Sequence, residues 1–289
     1  MHNTIEHNGA LWKKDERDYL VEDILGAEEW ETSPLPLKFF HDIAEYNQNE
    51  QKETYFACTC YGAYHATKAS YELAKKVNVE LDVLTGFRKQ KDFGTFQEGV
   101  GDWLRTAFDS VIKNGVLKTD GSKIEIAGYA SIGNGQSIDK RKLKYYLSNN
   151  FGIVTSFVTK KDYDYKTSGY LAPTTGQVNG GHAVSIAGYE DGYFICRNSY
   201  GSKWGKFKNG TFRILEKDLF LLQGIYVLYP KQKINMIFDD VSENSPHAED
   251  IQWAKDKGLM TGENGKFHPD RPLSRRELAI VLRRYDSLR

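Results

Sequence analysis

Gly180-Gly181-His182-Ala183-Val184-Ser185-Ile186-Ala187-Gly188, followed by Tyr189-Glu190-Asp191-Gly192 and then Tyr193-Phe194-Ile195-Cys196-Arg197-Asn198, is the stretch that decides the fold. Two runs rich in β-branched and aromatic residues flank an Asp-Gly turn, the pattern of an antiparallel hairpin. A turn centred on Glu190 sets His182 opposite Asn198. Directly opposed residues have Cβ atoms about 4.5–5.5 Å apart, close enough for a side-chain amide to accept a hydrogen bond from an imidazole. Such a bond fixes the ring tautomer and turns the other ring nitrogen to chemistry. The pairing depends on the turn, because a slip of one residue sends the two side chains to opposite faces.

Outward from this hairpin, Ile153 to Val158, Gly210 to Ile214 and Ile225 to Tyr229 read as further short strands separated by Gly, Asn and Asp. The first half reads differently. Cys60, Ala63, Tyr64, Thr67, Tyr71 and Ala74 fall on one helical stripe, in a helix that starts near Ala57 and stops before Val77. Trp103 to Ile112 repeats the pattern and ends at Asn114-Gly115, a C-terminal stop, and Ser137 to Leu147 reads as a third helix opened by Ser137 and Asp139. Helices first and strands later predict an α+β domain of two lobes, one helical and one antiparallel β, with a cleft between them. Residues 1–33 are mixed and charged, end at Pro34-Leu35-Pro36 and read as a surface extension; the main domain is expected over 34–232. After Tyr229-Pro230-Lys231-Gln232-Lys233, residues 233–289 form a small helical module with a Gly-rich turn at Gly262 to Gly265 and a helix opening at Ser274.

The chain has 289 residues, room for about two domains at roughly 150 residues each. Its 39 Lys and Arg balance 39 Asp and Glu, which argues against nucleic acid as a partner, since phosphate binding needs a basic excess. The most apolar run, Leu219 to Tyr229, is far short of the roughly 20 residues that span a bilayer, so no membrane insertion is expected. Met1 to Glu6 lacks the basic start and apolar stretch of a secretory signal, and the expectation is cytoplasmic synthesis, with action at a cell wall or in a virus particle reached by another route. Three cysteines, Cys58, Cys60 and Cys196, leave at least one free thiol.

Cys60 lies on the buried helical stripe. Cys58 lies at the first turn, where unsatisfied N–H groups and the helix dipole favour a thiolate. Cys58 is therefore the nucleophile candidate, whereas Cys60 and Cys196 read as small hydrophobes and His65 as a helix-face residue. A zinc site is set aside because Cys-x-Cys lacks ligand spacing and no second Cys or His pair supports it. A thiolate, an imidazole and an orienting amide are the set that attack on an acyl carbon needs, with no metal or organic cofactor.

These residues resemble a family. Cys58 to Ala63, Gly180-Gly181-His182-Ala183-Val184 and Arg197-Asn198-Ser199-Tyr200-Gly201-Ser202-Lys203-Trp204-Gly205 look like the papain-type cysteine peptidases, over about residues 34–230. The resemblance implies a peptide or protein substrate, Cys58 as nucleophile, His182 as general base and acid, Asn198 as its orienter and Trp204 as a shield of the His182–Asn198 bond. It also implies a glutamine in the oxyanion hole: Gln48 by its Asn-Gln context, or Gln51 by its spacing from Cys58. Thr59 and Tyr200 depart from the family pattern, and its long inhibitory propeptide is expected to be absent. The tail, from Phe238-Asp239-Asp240-Val241 through Trp253-Ala254 to Leu273-Ser274-Arg275-Arg276-Glu277, resembles an S-layer homology module. That likeness implies binding to an acidic cell-wall polymer through Arg275 and Trp253. Two functions remain open: a lytic or wall-remodelling peptidase of a bacterium or bacterial virus, or an idle surface or virion protein that uses the peptidase fold as a scaffold.

Overall fold

A computed structural model describes residues 10–11, 29–41, 46–133, 138–190, 192–230, 238–241, 247–263 and 265–287. Ser137, Asp191 and the charged run at 13–18 lie outside the described residues. The chain divides into two compact units, Met1–Lys231 and Gln232–Arg289.

The first unit opens with β1 (Ala10–Leu11), a short helix α1 (Glu29–Thr32) and β2 (Phe39–Phe40). Three helices follow: α2 (Cys58–Lys75), α3 (Val83–Lys91) and α4 (Leu104–Asn114), with β3 (Asp102–Trp103) leading into the last. Helix α2 carries its apolar stripe where the sequence puts it and ends at Lys76 in the left-handed region, while α4 stops at Gly115. After β4 (Val116–Leu117), β5 (Lys123–Ile124) and β6 (Ile126–Gly133) comes α5 (Lys140–Ser148), whose N-cap Asp139 accepts from the N–H groups of Arg141 and Lys142. Then β7 (Gly152–Lys160), a one-turn helix α6 (Tyr165–Ser168) and β8 (Tyr170–Leu171) precede β9 (Val178–Glu190), β10 (Tyr193–Arg197), β11 (Thr211–Leu215) and β12 (Leu222–Pro230). Helix α3 and strand β6 are elements that the hydrophobic pattern did not yield.

The main sheet runs β6-β12-β7-β9-β10-β11-β8, with β2 added beside β9. Both of its faces are buried, each under its own core. Ile153, Phe157, Val184, Ile186, Ile225 and Val227 point to one face and pack with Leu143, Tyr146 and Phe212. Val154, Ala183, Tyr226 and Leu228 point to the other and pack with Cys60, Tyr64, Phe87 and Phe108 of the helices. A strand buried on both faces reads as a continuous apolar run, which is why these strands were recognisable without alternation.

The hairpin register differs from the one the turn suggests. Tyr193 pairs with Glu190, Phe194 with Tyr189 and Ile195 with Gly188; then the register shifts, and Cys196 pairs with Ile186 and Arg197 with Ser185. One step along β10 matches two along β9, so Ala187 is the extra residue of a bulge. His182 pairs not with Asn198 but with Phe157 of β7.

Helix α2 crosses the sheet closely enough to need a glycine at position 152. Gly62 lies over Val184, where a Cβ would be 3.6 Å from the Val184 nitrogen, and a Cβ on Gly152 would overlap the backbone carbonyl of Ala66. The expected outcome for Gly152→Ala is therefore a loss of about 1–3 kcal/mol by urea denaturation, the usual cost of overpacking a rigid contact; a loss confined to a few tenths would show that α2 can lift off β7 freely.

Candidate active site

The two glycine contacts also fix the direction in which α2 runs. Ala66 sits over Gly152, which lies in the sheet row next to the Ile153–Ile186 pair, and Gly62, one turn earlier, sits over Val184. One further turn back is Cys58, on the side of the sheet where Ala183, the residue after His182, is buried. Cys58 is fully buried at the first position of α2 and shares a hydrophobic cluster with Ala183. The preceding Phe56 has φ 65°, a left-handed turn that swings the chain into the helix.

His182 Nε2 lies 2.8 Å from Asn198 Oδ1. The Ser199 N–H also meets Oδ1, at 2.8 Å, and a backbone N–H can only donate. The atom is therefore the amide oxygen, Nε2 carries the proton, and Nδ1 is the basic nitrogen of the neutral ring. This contact exists because of the bulge. On β10 the inward side chains are Phe194 and Cys196; on β9 they are Val184 and Ile186 below the bulge but Tyr189 above it. Continued past Arg197, the shifted register makes His182 the same-face diagonal neighbour of Asn198. The unshifted register would set Asn198 against Ser185, on the opposite face.

Aromatic rings enclose the imidazole. Tyr200 stacks on His182 at 5.2 Å with an interplanar angle of 11°, and Phe157 meets it edge-on at 5.7 Å. Trp204, expected as the shield, packs edge-on against Tyr200 at 5.8 Å. The ring against the imidazole is thus the tyrosine that departs from the family pattern, with the tryptophan behind it.

Of the two glutamines, Gln48 is fully buried and Gln51 is exposed. The Gln48 N–H donates to the Ser199 carbonyl at 2.8 Å, its Oε1 accepts from Ser199 Oγ at 2.5 Å, and its carbonyl accepts from Thr54 Oγ1 at 2.6 Å. Gln51 stands at the N-cap of the turn Lys52–Thr54 without a side-chain capping bond. Ser199, which motif reading passed over, fastens Gln48 to the residue after Asn198.

Two further groups were not foreseen. Asp102 is buried, accepting from Gln90 Nε2 at 2.7 Å, Thr95 Oγ1 at 2.6 Å and the Trp103 N–H at 2.7 Å, while Gln90 Nε2 also meets Thr59 Oγ1 at 3.0 Å. This network ties β3 to the residue beside Cys58. His65, expected on a helix face, is fully buried and accepts from the Tyr46 N–H at 3.3 Å under the stacked Tyr46 ring, holding the start of the Gln48 loop. Burial, then the positive charges of Arg197 and Lys68, push its pKa down to about 3. Burial also pushes the Cys196 thiol up to about 12 and raises that of Cys60, where Asp102 adds to the effect.

In the second unit, Phe238, Val241 and Ile251 pack with Phe267. Helix α7 (Ala248–Asp256) carries Trp253, half exposed, and α8 (Arg275–Asp286) begins with Arg275, exposed, after the capping box of Ser274 and Glu277. A groove of about 450 Å³ runs between α8 and the 259–268 segment, lined by His268, Arg271, Glu277 and Arg284 among others; neither Arg275 nor Trp253 lines it.

The depressed His65 pKa has a pH consequence. The folded imidazole stays neutral down to about pH 3, while the unfolded one takes a proton near pH 6.5. The unfolded state therefore binds more protons below pH 6.5, and stability falls as the pH drops from about 6.5 toward 3. The urea midpoint should decline over that window, and His65→Gln, which keeps an acceptor for the Tyr46 N–H, should flatten the decline. An unchanged slope in His65→Gln would assign the acid sensitivity to other groups.

Comparison with known proteins gives this geometry relatives. Residues 101–221 match the model of the papain family cysteine proteases, and residues 237–279 match the S-layer homology domain. Cathepsin B-like CP3 of Giardia intestinalis is 35% identical over 101 residues, covering 33% of this chain and 33% of that protein. Macrodontain-1 of Ananas macrodontes is 28% identical over 125 residues, covering 37% of this chain and 56% of that protein. The chain thus spans about a third of the length of the cathepsin B-like relatives it matches. Among solved structures, xylellain, a cysteine protease from Xylella fastidiosa, superposes with a TM-score of 0.62 at 18% identity, over 79% of this chain and 97% of that one. The bromelain protease of Ananas comosus superposes with a TM-score of 0.51 at 21% identity, over 68% and 99%. By these matches the first unit has a papain-like α+β fold and is similar over residues 101–221 to the papain family cysteine proteases, and residues 237–279 of the second are similar to the S-layer homology domain.

Proposed function

We propose that the chain is a thiol endopeptidase whose nucleophile is Cys58, and that its C-terminal unit directs it to a bacterial surface. The observation that carries the reading is the hydrogen bond from His182 Nε2 to Asn198 Oδ1, with Cys58 and the adjacent Ala183 buried in one cluster. With its proton held on Nε2, the ring has Nδ1 available to take the Cys58 proton, giving a thiolate at a helix N-terminus and an imidazolium whose two N–H groups both donate. The thiolate sulfur attacks a peptide carbonyl carbon, and the carbonyl π pair moves to oxygen. The Cys58 N–H and the Gln48 side-chain amide donate to that oxyanion. As the tetrahedral intermediate collapses, the C–N bond breaks and the imidazolium gives its Nδ1 proton to the leaving amine. Water, losing a proton to the same nitrogen, then attacks the thioester, and cleavage of the C–S bond releases the acid and restores the thiolate–imidazolium pair.

The second unit supports the choice of location. An S-layer homology domain points to surface or cell-wall association, and Arg275 and Trp253, both exposed, are suited to an anionic, sugar-bearing polymer. A single module holds such a polymer weakly unless several copies act together. Wall-remodelling or lytic action follows from joining the two units in one chain. Among the described residues no helix is long and apolar enough to cross a membrane.

Denatured casein and isolated cell walls serve as substrates for the test. Cys58→Ala should lower cleavage at least about 10³-fold while wall binding persists, and Arg275→Ala should reduce wall binding while casein cleavage persists. Iodoacetamide at pH 5–6 should alkylate Cys58 rapidly and Cys60 and Cys196, whose thiols burial holds in the protonated form, hardly at all, and His182→Ala should abolish the reactivity of Cys58. Cleavage that survives Cys58→Ala would remove Cys58 as nucleophile; uniform slow alkylation with no cleavage would leave the fold as a binding scaffold.

A further inference from the structure

Asp102 is fully buried on β3, and among the described residues no Lys, Arg or His pairs with it. Its oxygens accept from neutral donors instead: Oδ1 from Thr95 Oγ1 and the Trp103 N–H, Oδ2 from Gln90 Nε2. Thr95 Oγ1 lies 2.8 Å from Thr106 Oγ1 on α4. Ala10, expected on the surface, is 4% exposed and pairs with Asp102 in the parallel β1–β3 ladder. On the other side, Gln90 Nε2 reaches Thr59 Oγ1 at 3.0 Å, and Thr59, also fully buried, is the residue after Cys58. A carboxylate without a counterion is costly in an interior, where ionised groups are normally paired. Neutral side chains could join α2, α3 and β3 without that cost.

On the peptidase reading above, we infer that Asp102 and Gln90 are positioning residues for the nucleophile: through Thr59 they tie the first turn of α2 to β3, and they hold a negative charge one amide group away from the residue next to Cys58. The tie sets where the Cys58 N–H and sulfur stand. The charge sets the pH at which that sulfur becomes a thiolate, because one anion disfavours another nearby. Its field reaches this helix: after burial, Asp102 is the second cause that raises the Cys60 thiol, two residues from Cys58. The other ionisable groups around these turns are His182 on β9, Tyr61 and Tyr64 on α2 itself, and Glu50 and Asp82, whose charges act on those two phenols. Burial raises both phenols and keeps them neutral. A thiol attacks best when its pKa lies near the ambient pH, since a more acidic one is a weaker nucleophile. The buried carboxylate thus moves the working thiolate away from the acid range and toward the neutral one.

The Gln90 amide makes tie and charge separable. Its Oε1 is buried and accepts no hydrogen bond from the described residues, so turning the amide over breaks no bond made by that oxygen. With Asp102→Asn, the turned Oε1 accepts from the new amide and from the Thr59 hydroxyl: the tie stays and the charge goes. Thr59→Val removes the tie and keeps the charge. Gln90→Glu combined with Asp102→Asn keeps the tie and brings the charge next to Thr59.

The test follows iodoacetamide alkylation of Cys58 against pH in the full chain, with kcat and KM for casein and the urea midpoint measured alongside. Asp102→Asn should move the acid limb of alkylation down by about half a pH unit to one unit, which is about threefold to tenfold faster modification on that limb, and leave KM unchanged. Thr59→Val should leave the limb in place and lower kcat about tenfold or more, since the nucleophile loses its fixed position. The double variant should return the limb to the parent position or above it. Lowered urea midpoints with the limb unmoved in all three variants are what a purely structural network gives, and overturn the inference; an unchanged kcat in Thr59→Val overturns the tie. Should Asp102→Asn fail to fold, the double variant decides: a limb at or above the parent's upholds the charge, and a limb below it overturns it. Shifted limbs with no casein cleavage by any of the proteins uphold the effect of the charge on Cys58 and overturn the peptidase reading instead.

Discussion

A single extra residue in β9 governs the rest of the site. Side chains on a strand alternate between two faces, so two residues on neighbouring strands can meet only if the count of residues between them has the right parity. Ala187 changes that count. Below it the even-numbered positions of β9 face the aromatic core, above it the odd-numbered ones do, and β10 keeps its even positions inward throughout. Asn198 reaches His182 for that reason, and everything attached to Asn198 follows: the proton on Nε2, the Ser199 N–H on the same oxygen, and Gln48 fastened to Ser199.

The second requirement is that a helix starting at Cys58 pass over this strand in the correct place. Here the sheet is buried from both sides, and the helical core presses α2 down until β7 needs a glycine at Gly152. Close packing fixes the axial position of the helix as well as its height, since protein interiors fill space at crystal-like density and leave little room to slide. Asp102 and Gln90 add a polar tie between Thr59 and β3. The family resemblance puts an aromatic at the position of Thr59; here a hydrogen-bonded network joins the same two elements.

Much of this was legible in the sequence. Helix α2, its stop near Val77, the end of α4 at Gly115 and the strands flanking His182 follow from periodicity and from glycine and asparagine stops. The hairpin register was not legible, because an Asp-Gly turn marks where a chain reverses but not how many residues the strands give up around it. Helix α3 escaped because Gly86 interrupts its pattern; the residue is glycine because the Tyr64 ring fills the space of its side chain, a tertiary contact no local pattern contains. Strand β6 is built from Ala, Gly and Ser as much as from Ile, a weak signal for a strand. Gln48 and Gln51 could not be separated by spacing, since the turn at Lys52–Thr54 takes up residues that a simple count assigns to the approach toward Cys58.

The last helix of the C-terminal unit is held in another way. None of the residues of α8 is buried; the helix is secured by the Ser274–Glu277 capping box, the ion pair of Arg271 with Glu277 at 2.6 Å and the bond from Arg284 to the Leu259 carbonyl at 2.9 Å. Exposed charge pairs are screened over about 8 Å at physiological ionic strength, whereas a core buried under two faces of a sheet is not. The two halves of one polypeptide therefore answer to different properties of their surroundings. The first answers to temperature and denaturant; in the second, which has a small apolar core of its own, the seating of α8 answers to ionic strength as well, so that salt becomes a variable in how firmly this last helix keeps its place.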